Sequence, residues 1–131
     1  MSEYKAGVCN IGAAETRKRY AFGTAGFLAA LLLAVGLYTF AFDPLAMLVV
    51  AVPLFVGFEG VLQAYDHFCA GFAMAGVYDV SDTGGDRHEI PSEDALIADR
   101  QRAIQIHMQA LVGAVVTAAF LYLLALAIPP A

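Results

Sequence analysis

The chain contains no tryptophan and only two cysteines, Cys9 and Cys69, and just 15% of its 131 residues are charged. Without tryptophan, any marking of membrane interfaces falls to tyrosine and phenylalanine. Two cysteines allow one disulfide or none, which excludes a disulfide framework. A soluble domain carries roughly a quarter charged residues. Here the shortfall is matched by 60% hydrophobic residues and a mean hydropathy of +0.70, gathered in blocks. The seven basic residues form no extensive patch, which excludes a nucleic-acid surface. P-loop, GxSxG, HExxH and Rossmann fingerprints are also missing. With so little polar surface on which to build a site, an enzyme is not expected.

What is present reads as an all-α integral membrane protein of one domain, with three transmembrane helices and a cytoplasmic interfacial segment. The segment before the first apolar run is long and polar, and that run exceeds a signal-peptide core, so no cleavable signal is expected. After a polar arm over 1–19, the first span covers 20–42 without a charge, long enough for a bilayer core of about 30 Å. Asp43-Pro44 breaks it, because proline disfavours helix at the preceding residue and starts the next helix well. The second span covers 45–65, and Pro53 inside it is expected to bend it. So short a connection makes the two helices an antiparallel hairpin. Gly26, Ala30 and Ala34 provide a small-residue face for close approach, slightly favoured within the hairpin over a dimer.

The apolar stretch 66–78 is too short to cross and reads as interfacial, and 79–92 is a loop rich in Gly, Asp, Ser and Pro. Ser92 is a good N-cap, with Glu93 and Asp94 suiting the positive end of the helix dipole. An amphipathic start over 93–107 places Ile97, Ile104 and Met108 on one face, away from Asp99, Arg102 and Gln105. The third span follows over 108–128, and Pro129-Pro130 ends it. With a cytoplasmic N-terminus, all seven Lys and Arg residues lie inside and Asp43 is the only charge outside. The expected location is the cytoplasmic membrane, multi-pass, with the C-terminus outside.

Several polar residues stand out against this background. Glu59 falls within the second span, where a carboxylate costs several kcal/mol unless protonated, paired or wetted. Gln63 lies one turn on, with Asp66 and His67 beyond, forming a polar stripe toward the cytoplasm. It reads first as glue between helices, with Arg17 or Arg19 as partners, and second as an ion or proton relay. Cys9, Cys69, His67 and His107 all fall near the cytoplasmic face. Together they would complete a tetrahedral set for zinc or soft ligation for copper(I). The alternatives are a redox or sulfur-carrying thiol pair and, favoured over either, ordinary packing. His107 alone, with Ala103, Ile104 and Leu111 one turn away, reads as a packed or interfacial residue, and no cofactor is expected. At the N-terminus Asn10 and Gly12 suit a helix start, Asn10 being the better cap. Glu15 can reach Lys18 or Arg19, and the triplet Arg17, Lys18, Arg19 can anchor to anionic headgroups.

The stretches "CNIGAAETRKRYAFGTAGFLAALLLA" and "LFVGFEGVLQAYDHFCAGFAMAGVYDV" resemble the YgaP-like small transmembrane proteins, and also uncharacterised three-helix "CNIG" membrane proteins of bacteria and archaea. The resemblance covers about the first 80 residues and places Asn10, Gly12, Glu15, Arg19 and Cys69 at the family's recurring positions. It implies a helical hairpin that tends to dimerise, in some members joined to a rhodanese domain and so linked to sulfur. This sequence has Cys69-Ala70 where many members have Cys-Pro, adds Glu59 and appends a third span. The expected role is a non-enzymatic interaction or assembly protein in the lipid bilayer, either a homo-oligomer or an accessory subunit of a membrane complex. Thiol, sulfur or metal handling at Cys9, Cys69 and His67 is the alternative, and ion conduction past Glu59 a weaker one.

Overall fold

A computed structural model describes residues 3–131. It is mostly helical. Helix α1 spans Ala13–Thr39, a 3₁₀ segment Pro44–Val50 leads into α2 (Ala51–Asp66), and a short α3 covers Ala70–Ala75. Strands β1 (Val77–Tyr78) and β2 (His88–Glu89) pair antiparallel, and α4 runs unbroken from Glu93 to Ala127. Three helical stretches, Ala13–Thr39, Pro44–Asp66 and Glu93–Ala127, are long and apolar enough to cross a membrane. The expectation of three spans therefore holds at that level. The 66–78 segment is not uniformly helical, and the loop contributes a strand, so a two-residue ribbon interrupts the all-α pattern.

The hairpin forms as its sequence dictates. Asp43 Oδ1 accepts from Leu45 N at 2.8 Å, and Pro44 starts the next segment, where its missing N–H costs nothing. Pro53 does not bend a formed α-helix. It sits in the first turn of α2, where the 3₁₀ segment passes into α-helix. The irregularity thus precedes the proline.

Helices α1 and α2 meet through glycines from both sides. A Cβ on Gly26 would stand 2.5 Å from Gly57 N, and one on Gly60 would stand 2.4 Å from Gly23 N. Such contacts are possible only without side chains, and they bring the backbones together within the chain, as expected for a tethered hairpin. Helix α2 is the centre of the bundle and packs against both α1 and α4. Helix α4 buries a narrow stripe of mostly small residues: Ala95, Asp99, Ala103, Ile106, Ala110, Ala114 and Ala118. The amphipathic face made of Ile97, Ile104 and Met108 is the outward one, 50–57% exposed. Large apolar side chains face outward because lipid is as apolar as they are, while small ones let helices approach. An apolar groove of about 350 Å³ opens between α1 and α4, lined by Leu31, Ala34, Tyr38, Met47, Leu121 and Ala125 among others.

Candidate functional site

At the end of the bundle that carries α3 and the ribbon, the N-terminal arm is stitched into the fold. Asn10 is fully buried, and its side chain acts as a second backbone. Oδ1 accepts from Cys69 N at 2.6 Å, and Nδ2 donates to Cys69 O at 2.9 Å. Its own N–H donates to His67 O, and its carbonyl accepts from Asp79 N at 2.9 Å. Asn10 is therefore not the helix cap. Gly12 takes that position without a side-chain bond to the helix. A Cβ there would lie 2.3 Å from Ser81 O and 2.4 Å from Val80 O, so the close passage of the 80–81 backbone requires glycine.

His67 closes α2 in the left-handed region at φ 53°, which turns the chain back beneath the arm. Its Nδ1 lies 3.3 Å from Thr16 Oγ1, which donates to Gly12 O. Cys69 is buried, and its Sγ accepts from an Arg19 guanidinium N–H at 2.9 Å. Arg19 also pairs with Glu15 at 3.4 Å and lies over the Phe72 ring, as Arg87 does at 4.8 Å. Glu15 reaches Lys18 as well, at 2.7 Å, so both expected partners are engaged. Arg17 remains exposed and extends to Asp82 O at 3.5 Å.

The polar stripe on α2 is consumed by α4. Glu59 is buried; one carboxylate oxygen pairs with His107 Nδ1 and the other accepts from Gln63 Nε2 at 2.6 Å. Gln63 Oε1 in turn accepts from Ala70 N, and Asp66 pairs with Arg102 at 2.8 Å. Glu59 thus joins helices as expected, but through His107 rather than Arg17 or Arg19. His107, read from the sequence as packed or interfacial, is about half exposed and pairs with a carboxylate on α2.

The four candidate metal ligands are not gathered. His107 faces Glu59, His67 faces Thr16, Cys69 faces Arg19, and the Cys9 thiol donates to Ile11 O. Among the described residues, no group of three or more His, Cys, Asp and Glu is placed to hold a metal ion. Both cysteines are free thiols, although Asn10, the residue next to Cys9, bonds directly to the Cys69 backbone. Burial pushes the Cys9 thiol above its usual range, against a smaller pull from the Ile11 contact and Lys5.

Two residues central to this end have no sequence motif that singles them out. Asp79 is fully buried, and its carboxylate accepts from Ser81 N, Ser81 Oγ and Asp86 N at 2.6–3.1 Å, which shapes the loop. The Asp-x-Ser turn pattern is the one local signal for it. Asp99, fully buried on α4, accepts from Gly7 N at 2.6 Å and Tyr4 OH at 3.0 Å, fastening the arm to the helix. Tyr4 also stacks on Tyr78 with centroids 4.2 Å apart. Asp99 lies in register with Ala95, Ala103 and Ala110, so a small-residue helical period would have placed it on the buried face.

Comparison with family models, curated proteins and solved structures finds no match for this chain. Fold and site together define a class: a mostly helical chain with three helices able to span a membrane, closed at one end by a polar cap.

Proposed function

We propose that this is a three-span protein of the cytoplasmic membrane, with the arm, cap and α4 start inside and the C-terminus outside, acting as a non-enzymatic interaction or assembly component. It works as a homo-oligomer or as an accessory subunit of a larger membrane complex. The orientation rests on all seven Lys and Arg residues lying at the cap end or its flanking helix termini, with Asp43 at the other end. The role rests on one observation. The polar side chains that chemistry would need are engaged in bonds between elements of the fold, from Glu59–His107 and Asp66–Arg102 to Asp99 and the arm. Among the described residues no buried side-chain N or O lacks a partner. A cap built this way is a rigid surface. The same pairing of Glu59 removes support from conduction through it.

A second reading, thiol or sulfur handling, is favoured by the Arg19 guanidinium on the Cys69 sulfur. Native mass spectrometry from mild detergent separates the two. The assembly reading expects wild type, Cys9→Ser and Cys69→Ser to show the same copies or the same stoichiometric partner subunit. A mass gain on wild type of about one sulfur atom that a thiol reductant removes (a sulfinic acid of the same nominal mass would persist) and that is lost in Cys69→Ser favours sulfur handling instead. A solitary, unmodified monomer in all three sinks both readings.

A further inference from the structure

Helix α4 is 35 residues long, about 52 Å, while a bilayer core of about 30 Å takes up only some 20 residues. With Ala127 at the far boundary, the core reaches back to about Met108, and the turns before it stand outside the hydrocarbon. Ile97 lies 11 residues earlier, about 16 Å beyond that boundary. Even so, Ile97 and Ile104 are 50% and 57% exposed, on the side of α4 opposite its buried stripe.

The outward residues run Ile97, Gln101, Ile104, Met108, Leu111 and Val115, alternating steps of four and three. That is the seam of a left-handed coiled coil, with one polar residue at a core position of the kind that sets register. The seam ends at Ala118, which the bundle itself buries. Lipid covers Leu28, Leu31 and Leu32 on α1, which lie wholly within a span, but acyl chains do not reach Ile97.

We propose that a second copy of this chain covers this stripe, the two α4 helices pairing from Ile97 to Val115. The inference rests on the assembly reading above and names its partner and surface, on a helix outside the α1–α2 hairpin. Copies inserted with one topology must pair in parallel about a twofold axis along the membrane normal. In that arrangement Arg100 of one chain flanks Gln105 of the other, so no like charges oppose across the seam. Five apolar side chains about half exposed, Ile97 and Ile104 outside the core and Met108, Leu111 and Val115 at its edge or within it, offer at most on the order of 500 Å² per copy, about 1,000 Å² in all, the threshold for a specific interface.

The test is oligomeric state in mild detergent at micromolar concentration, wild type beside Ile97→Glu/Ile104→Glu. Both side chains project away from the fold, so the variant should keep the helical content of wild type by circular dichroism. Wild type is expected to be a dimer, and the variant to dissociate at least tenfold more readily. In membranes, Ile104→Cys and Leu111→Cys in a Cys9→Ser chain should cross-link between copies, and Leu32→Cys on α1 should not. Dimers that survive the double substitution, or cross-link through Leu32→Cys and not Ile104→Cys, overturn this seam and leave the assembly reading standing. A wild-type chain that is monomeric but bound to a different subunit overturns the self-pairing alone. A solitary monomer overturns both.

Discussion

Replacing Asn10 with alanine removes both hydrogen bonds that its side chain makes to the Cys69 backbone. The Cys69 N–H then stays buried without a partner, at about 1–3 kcal/mol, while its C=O keeps the Ala73 N–H and loses a second bond worth about 0.5–1.5 kcal/mol. The expected loss is about 1.5–4.5 kcal/mol, against about 1 kcal/mol were Asn10 only a helix cap. Magnitude therefore separates a strap from a cap. The perturbation is also local: it loosens the turn that hides the Cys69 thiol, which is 4% exposed. If labelling by a thiol reagent proceeds through opening of that turn, its rate should rise by roughly tenfold to a little over a thousandfold, at about 1.4 kcal/mol per factor of ten. Cys9, already partly exposed, serves as the internal reference. The assay is reagent labelling followed by peptide mass spectrometry, alongside thermal unfolding in detergent. Asn10→Asp keeps the acceptor but loses the donor, and should also fall well below wild type. A loss under about 1 kcal/mol with unchanged Cys69 labelling would refute the strap argument.

Gly26→Ala places a methyl 2.5 Å from Gly57 N and should destabilise by about 1–3 kcal/mol, whereas Gly36→Ala meets nothing within 4 Å and should be neutral or slightly stabilising; thermal unfolding reads both. His107→Ala leaves buried Glu59 with Gln63 alone and should lower the unfolding temperature, while adding Glu59→Gln should recover part of the loss by removing the unpaired charge. Burial alone would raise the Asp79 carboxyl, but bonds from Ser81, Asp86 and Gly85 hold it below the usual carboxylate range. A depressed folded value stabilises above the unfolded one, near 3.9, and that contribution is lost as pH falls through the folded value. Unfolding temperature should therefore drop below about pH 4, and less steeply in Asp79→Asn.

The three long helices were legible from composition alone, because apolar blocks of that length have one stable use. So were the Asp43-Pro44 break, the Ser92 cap, which accepts from Ala95 N at 3.1 Å, and the Glu15 pairs. Each depends on residues within a few positions of one another, where local geometry is set by the chain itself. Partners distant in sequence were not legible. Glu59 with His107 and Asn10 with Cys69 are 48 and 59 residues apart, and nothing local says which polar group will meet which. The inner face of α4 was hidden for a related reason: in a bundle read against lipid, large apolar residues mark the outside and alanines the contact. The sequence by itself determined that three stretches are long and apolar enough to cross a membrane, and it marked the Asp43-Pro44 break and the Ser92 start. Only the tertiary structure decided which distant polar groups meet one another, because that choice is made by packing between helices and not along them.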